Sequence, residues 1–254
     1  MLWHKAWVDT RWRFLIGLAL LTLLAIGAVF GYPQVARKLL PLVKVPDADG
    51  PVARAIRQSI ELSRTFRGYV WLNAFSQNFA QLGTLFAVLL GSGGLGAETA
   101  GTLFTLSLPV SRRALMATRA ASGLAELFAL TMIPSLVISL FAPVIGEHFS
   151  LLDAIVHGGC FFVATTLFFS LTFWLSTTVA DVWRPGLIAC AVAVFIGVCE
   201  AALDQVAPFG IFHVMRADSY FYNARVPWVG LLVAVALSAM LLCSAVVAIE
   251  RRDF

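Results

Sequence analysis

Charge is scarce in this chain. Of 254 residues only 13% are charged, where soluble domains carry about 25%, and that shortage excludes an ordinary soluble globular protein. Lysine is scarcer still: Lys5, Lys38 and Lys44 are the only three. A Walker A loop needs a lysine after a glycine-rich turn to reach the phosphates, and the glycine-rich stretch GSGGLG at Gly91 has none near it. The chain is therefore expected to hydrolyse no ATP itself. Cys160, Cys190, Cys199 and Cys243 fall inside apolar runs with no CxxC, which leaves them as small buried hydrophobes. His4, His148, His157 and His213 are scattered outside any HExxH frame, which argues against metal catalysis. His148 and His157 do flank one short loop with Glu147 and Asp153, a weak pointer to metal contact. Strand alternation is missing too, so nothing suggests a barrel.

What is present is apolar: 60% of the residues, gathered into uncharged runs near the roughly 20 residues that cross a bilayer. Backbone groups in lipid must be satisfied within their own segment, so each run is expected to be a helix. Six spans are predicted: Phe14 to Tyr32, Leu72 to Leu90, Ala120 to Ile145, Ala154 to Val179, Leu187 to Leu203 and Trp228 to Ile249. The expected fold is all-α, a single integral membrane domain over residues 1–254. The first run is longer than a signal-peptide core and is followed by further spans, so an uncleaved anchor is favoured.

Basic residues sit between the runs, which fits topology signals and anionic lipid contact rather than nucleic acid. With both termini in the cytosol, nine basic residues fall on each side. Seven of the outer nine lie in one long loop, Pro33 to Trp71, and long loops weigh little in orientation; cytosolic termini are therefore preferred. Within that loop Val52, Ile56, Ile60 and Phe66 recur at near-helical spacing opposite Arg54, Arg57, Glu61 and Arg64. An interfacial amphipathic helix leading into the second span is expected.

The most informative stretch is the connection from Gly91 to Arg119, expected in the cytosol. Glycines 91, 93, 94 and 96 release the chain, Glu98 opens a short helix whose dipole favours its carboxylate, and Pro109 helps to end it. Thr102, Leu103, Phe104, Leu106 and Leu108 then form a surface too short to span and too apolar for an idle loop. Such a surface suits a groove on a partner, with Arg112 and Arg113 at its rim; a re-entrant or interfacial helix is the bland alternative.

The series Glu98, Gly101, Thr102, Leu103, Leu106, Pro109, Ser111, Arg112 resembles the signature of type-2 ABC transporter permeases, and the opening MLWHKAWVDTRWRF and closing IERRDF are similar to ends found in that family. The resemblance implies a coupling helix from Glu98 to Leu108, Phe104 included, docked on a separate P-loop ATPase. ATP and magnesium would bind that partner, with no cofactor on this chain. It further implies a homo- or heterodimer of permease subunits in a bacterial inner membrane, mostly exporting, with the substrate left open. The basic loop before the second span is longer than a minimal member needs.

Glu126 and Glu200 are the ionisable residues within spans, by default functional candidates. Glu126 is otherwise explained by snorkelling or a helix–helix hydrogen bond, and Glu200, with Asp204, by marking the end of its span. Pro134 and Pro143 are expected to bend the third span. Trp3, Trp7, Trp12, Trp71, Trp183 and Trp228 are read as interfacial anchors. Two other functions compete. An intramembrane serine protease needs a nucleophile within reach of a base inside the membrane; Ser92 is expected at the wrong depth, and Ser170 and Ser176 have no histidine at useful spacing. A non-catalytic scaffold or assembly factor would share the spans without needing the Glu98 to Arg113 element.

Overall fold

Length and apolarity decide most of the architecture. The structure, a computed structural model, describes residues 2–40, 50–92, 111–179, 181–202 and 210–250. Among these the chain is helical, with no strand. In order come α1 (Leu2–Gln34), α2 (Pro51–Ser63), α3 (Phe66–Val70), α4 (Ala80–Gly91), α5 (Arg112–Phe141), α6 (Leu151–Thr178), α7 (Arg184–Ala202), α8 (Ile211–Met215), α9 (Asp218–Asn223) and α10 (Trp228–Glu250). Five described segments, within α1, α5, α6, α7 and α10, are long and apolar enough to cross a membrane, an architecture compatible with a multi-pass membrane protein.

The expected second span is not among those five. Its helix is divided: α3 passes into wide π turns over Trp71–Phe79 and only then into α4. Asn73 and Asn78 turn their amides back on the backbone, Asn73 Nδ2 donating to the Tyr69 carbonyl at 3.2 Å and Asn78 Nδ2 to the Asn73 carbonyl at 2.7 Å. The second bond spans five residues, the interval of the widened turn.

Other boundaries also differ from expectation. The helix of the first span begins at Leu2 and is prolonged by π turns to Leu39, so much of the expected first loop is helical. The amphipathic helix forms as α2, but Ile56 on its apolar stripe is exposed and Phe66 belongs to α3. Pro134 lies inside α5 as expected, whereas Pro143 sits in a 3-10 turn, Ala142–Ile145, that ends the helix instead of bending it.

Helix α6 is the hub. It packs against α4, α5, α7, α8 and α10, and its buried phenylalanines 161, 168, 169 and 173 sit at the centre of the core. Around it most spans show one apolar face outward, as a lipid-facing bundle requires: Leu187, Phe195, Leu232 and Met240 are all well exposed. Cys160 is buried, Cys190 and Cys199 are intermediate, and Cys243 is exposed on α10, which corrects the expectation for the last of them. Trp3, Trp7, Trp12, Trp183 and Trp228 are exposed, but Trp71 is buried, its indole donating to the Arg216 carbonyl at 3.0 Å while it stacks on Phe221. It is a packing residue rather than an anchor.

Candidate functional site

Polar side chains are rare enough in this bundle that their positions stand out, and they gather at its two ends. At the first end, which carries the N-terminus of α1, α4 stops at Gly91 and α5 starts after Ser111. Residues 93–110 lie outside the described residues, and with them Glu98, Gly101, Thr102, Leu103, Phe104, Leu106 and Pro109. The flanks are well built. Ser111 caps α5, its hydroxyl accepting from the Ala114 N–H at 3.2 Å, and Arg112 is the first residue of that helix.

Arg13, which as a sequence position carries only a topology charge, reaches across to the end of α4. Its Nη1 donates to the Leu89 carbonyl at 2.9 Å and to the Ser92 carbonyl at 2.7 Å, with the Ser92 hydroxyl at 3.3 Å. A helix leaves its last carbonyls without intrahelical partners and carries partial negative charge there; one guanidinium satisfies both needs. One turn earlier on α1, the Thr10 hydroxyl donates to Glu126 Oε1 at 2.5 Å. Glu126 is only 4% exposed, so it does not snorkel; it joins α1 to α5 by a buried hydrogen bond. Its Oε2 has no protein partner. Helix α1 thus fastens the end of α4, where the chain leaves the bundle, and holds α5 at a point fourteen residues beyond its start.

At the opposite end a second network ties three elements. Asp153 of α6 accepts from the Tyr220 hydroxyl of α9 at 2.7 Å and lies 3.3 Å from Arg67 Nε of α3. Arg67 also sits over the Phe221 ring, 5.4 Å from its centroid. Truncating Asp153 to Ala strands both donors and is expected to cost about 2 kcal/mol. Asp153→Asn, which keeps an acceptor for Tyr220 and loses only the ion pair to half-exposed Arg67, should cost less than about 1 kcal/mol. Thermal unfolding in detergent measures both; equal losses would refute the ranking.

Burial first, and then the bond to Asp153, hold the Tyr220 hydroxyl above the usual tyrosine range. A group whose folded pKa is raised lends stability that is intact below its unfolded pKa, about 10 for tyrosine, and lost as pH climbs through the folded value. The bundle should therefore lose stability in the alkaline range, and Tyr220→Phe should lose less over the same interval. Unfolding scans from about pH 9 to 11 compare the two.

Beneath this network lie residues that the sequence gave no reason to join. His213 of α8 places Nδ1 2.8 Å from Asp218 Oδ2 and Nε2 3.3 Å from the Ser219 hydroxyl. Arg216 Nη2 is 3.3 Å from the same Asp218 oxygen. Glu200 stands in the last turn of its span, as expected, and there receives the Phe212 N–H at 3.2 Å, fixing the start of α8; Asp204 lies outside the described residues. The short apolar run IFHVM between two spans was the available signal for α8.

The pointer to metal contact finds no support. His157 is buried between Phe75 and Tyr220 rather than open to the loop, and among the described residues no group of three or more His, Cys, Asp or Glu is placed to hold a metal. Protein-family models, curated proteins and solved structures provide no match for this chain.

Proposed function

We propose that this chain is the membrane-spanning permease subunit of an ABC-type exporter, driven by ATP hydrolysis on a separate P-loop subunit that binds the nucleotide and its magnesium. In this reading the five long helices and the divided α3–α4 helix make six crossings. Both termini and the 93–110 segment face the cytosol, and two permease subunits pair in the membrane.

The observation that carries the reading is that α1 holds both helices flanking that segment. Arg13 holds the α4 end through Leu89 and Ser92, and Thr10 holds α5 through Glu126. In this reading an apolar element from Glu98 to Leu108 passes a push from a docked partner into α4 through the end that Arg13 holds, and α1 carries it on to α5. The resemblance of Glu98, Gly101, Thr102, Leu103, Leu106, Pro109, Ser111 and Arg112 to the permease signature points the same way.

A non-catalytic scaffold or assembly factor is the second reading, since it uses the same spans. Co-purification separates them. The tagged chain, expressed in a bacterial host with its own genome complement and extracted in mild detergent, is expected to bring down a P-loop ATPase whose activity responds to the permease. Absence of any ATPase under all extraction conditions overturns the permease reading in favour of the scaffold.

A further inference from the structure

Helices α8 and α9 do not cross the bundle; they climb one side of it. Phe212 packs on Phe168, ring centroids 5.6 Å apart, while Tyr220 bonds Asp153. Those two positions on α6 are separated by fifteen residues, roughly 22 Å of helix axis. A short, broken segment at that depth is tolerated where it is buried in protein or lines a watered cavity, and ionisable groups upon it are functional candidates. This one carries His213, Arg216 and Asp218.

The chain reverses between the two helices at Ala217, a residue without the freedom of glycine that stands at φ 54° in the left-handed region. Strain of this kind persists only where the surroundings impose it. Its effect is to fold Asp218 and Ser219 back over His213. Asp218, 6% exposed, faces His213 Nδ1 at 2.8 Å. With the ring proton on Nδ1, facing that carboxylate, the Nε2 lone pair meets the Ser219 hydroxyl at 3.3 Å, and serine, imidazole and carboxylate then stand in the order nucleophile, base, orienting acid. Arg216 bears on the carboxylate at 3.3 Å, and its buried Nε has no protein partner. Ser219 and His213 are both partly exposed.

We propose that Ser219 is an activated nucleophile, with His213 as its base and Asp218 as the positioning residue, acting on carboxylic esters presented at this end of the bundle. As the bond from Ser219 Oγ to the ester carbon forms, the hydroxyl proton passes to His213 Nε2 and the carbonyl electron pair moves onto oxygen. Collapse of that intermediate breaks the ester C–O bond, and His213 returns the proton to the departing alcohol. Water then attacks the acyl-serine, its proton passing through His213 back to Ser219, so that one water is consumed and one acid and one alcohol are released. The relay stands on geometry alone. The substrate class rests on the membrane reading as well: Trp71, Phe212 and Phe221 make the surroundings apolar and aromatic, which favours an ester with a hydrocarbon acyl chain.

The test uses the purified full-length chain in mild detergent, treated with a fluorophosphonate–rhodamine probe, with the modified peptide identified by mass spectrometry. Labelling at Ser219 in the wild type is expected, slowed by about 100-fold or more in His213→Ala, and slowed in Asp218→Asn with recovery of labelling at raised pH. Ser219→Ala should lose both the label and hydrolysis of p-nitrophenyl butyrate. Because the wild-type peptide is mapped directly, an aggregated variant leaves the main result readable. No labelling of the wild type, labelling of another serine, or a rate indifferent to His213→Ala overturns the assignment. The ATPase co-purification is a separate experiment, so failure of either reading is told apart from failure of the other.

Discussion

Gly91→Val is expected to prevent α4 from seating on α6 and to remove most of the folded protein from a detergent extract. A Cβ at Gly91 would lie 2.6 Å from the Phe169 carbonyl oxygen, with Thr172 Cβ at 3.0 Å and the Phe173 nitrogen at 3.3 Å. Two of these three neighbours belong to the backbone of α6, the hub helix, so no rotamer change relieves the contact and the helices themselves must part. Overpacking that side chains absorb costs about 1–3 kcal/mol; a clash with backbone at a fully buried crossing belongs at or above the top of that range. Gly27→Val is the control, since nothing lies within 4 Å of a Cβ at that position, and its effect should stay within about 0.5 kcal/mol. Size-exclusion profiles and thermal unfolding compare the two. Equal behaviour would mean that the α4–α6 crossing is looser than the structure places it.

Phe104→Asp is expected to strip the ATPase from the complex while leaving the permease folded. If Phe104 docks in an apolar groove of the partner, the substitution buries a carboxylate with no counterpart there, a penalty of several kcal/mol and hence a loss of affinity of more than about 100-fold, since each 1.4 kcal/mol is tenfold. Glu98→Ala should weaken the complex far less, because the carboxylate's interaction with a helix N-terminus contributes about 0.3–1 kcal/mol. Co-purified ATPase, measured with the elution profile of the permease itself, reads both. Retention of the ATPase by Phe104→Asp would remove the docking role from this element.

Legibility followed locality. The runs that became α5, α6, α7 and α10 were placed from apolarity alone, and their ends shifted by a few residues except at the start of α5, where Ser111 caps a helix that begins eight residues before its apolar run. Where polar residues enter a run, the helix departs from a plain α-helix: over the second span it widens into π turns at Trp71–Phe79, where Asn73 and Asn78 hydrogen-bond to its backbone. Charges were the least legible of all. In the sequence Arg13 reads as a topology charge, yet it holds the end of α4; Glu126 reads equally as a snorkelling residue or a helix–helix bond, and it is a buried link to α1.

Sequence by itself determined that this chain is helical, largely apolar and built of segments fit to cross a membrane, because helix formation and hydrophobic burial depend on neighbours within one or two turns. Tertiary structure alone decided which polar atoms meet. Arg13 and Leu89 are 76 residues apart, Thr10 and Glu126 116, Asp153 and Tyr220 67, and no local period encodes such pairings. Even the contact of His213 with Ser219, six residues on, depends on a reversal at Ala217 that alanine does not favour. The packing of α8 and α9 along α6 imposes it.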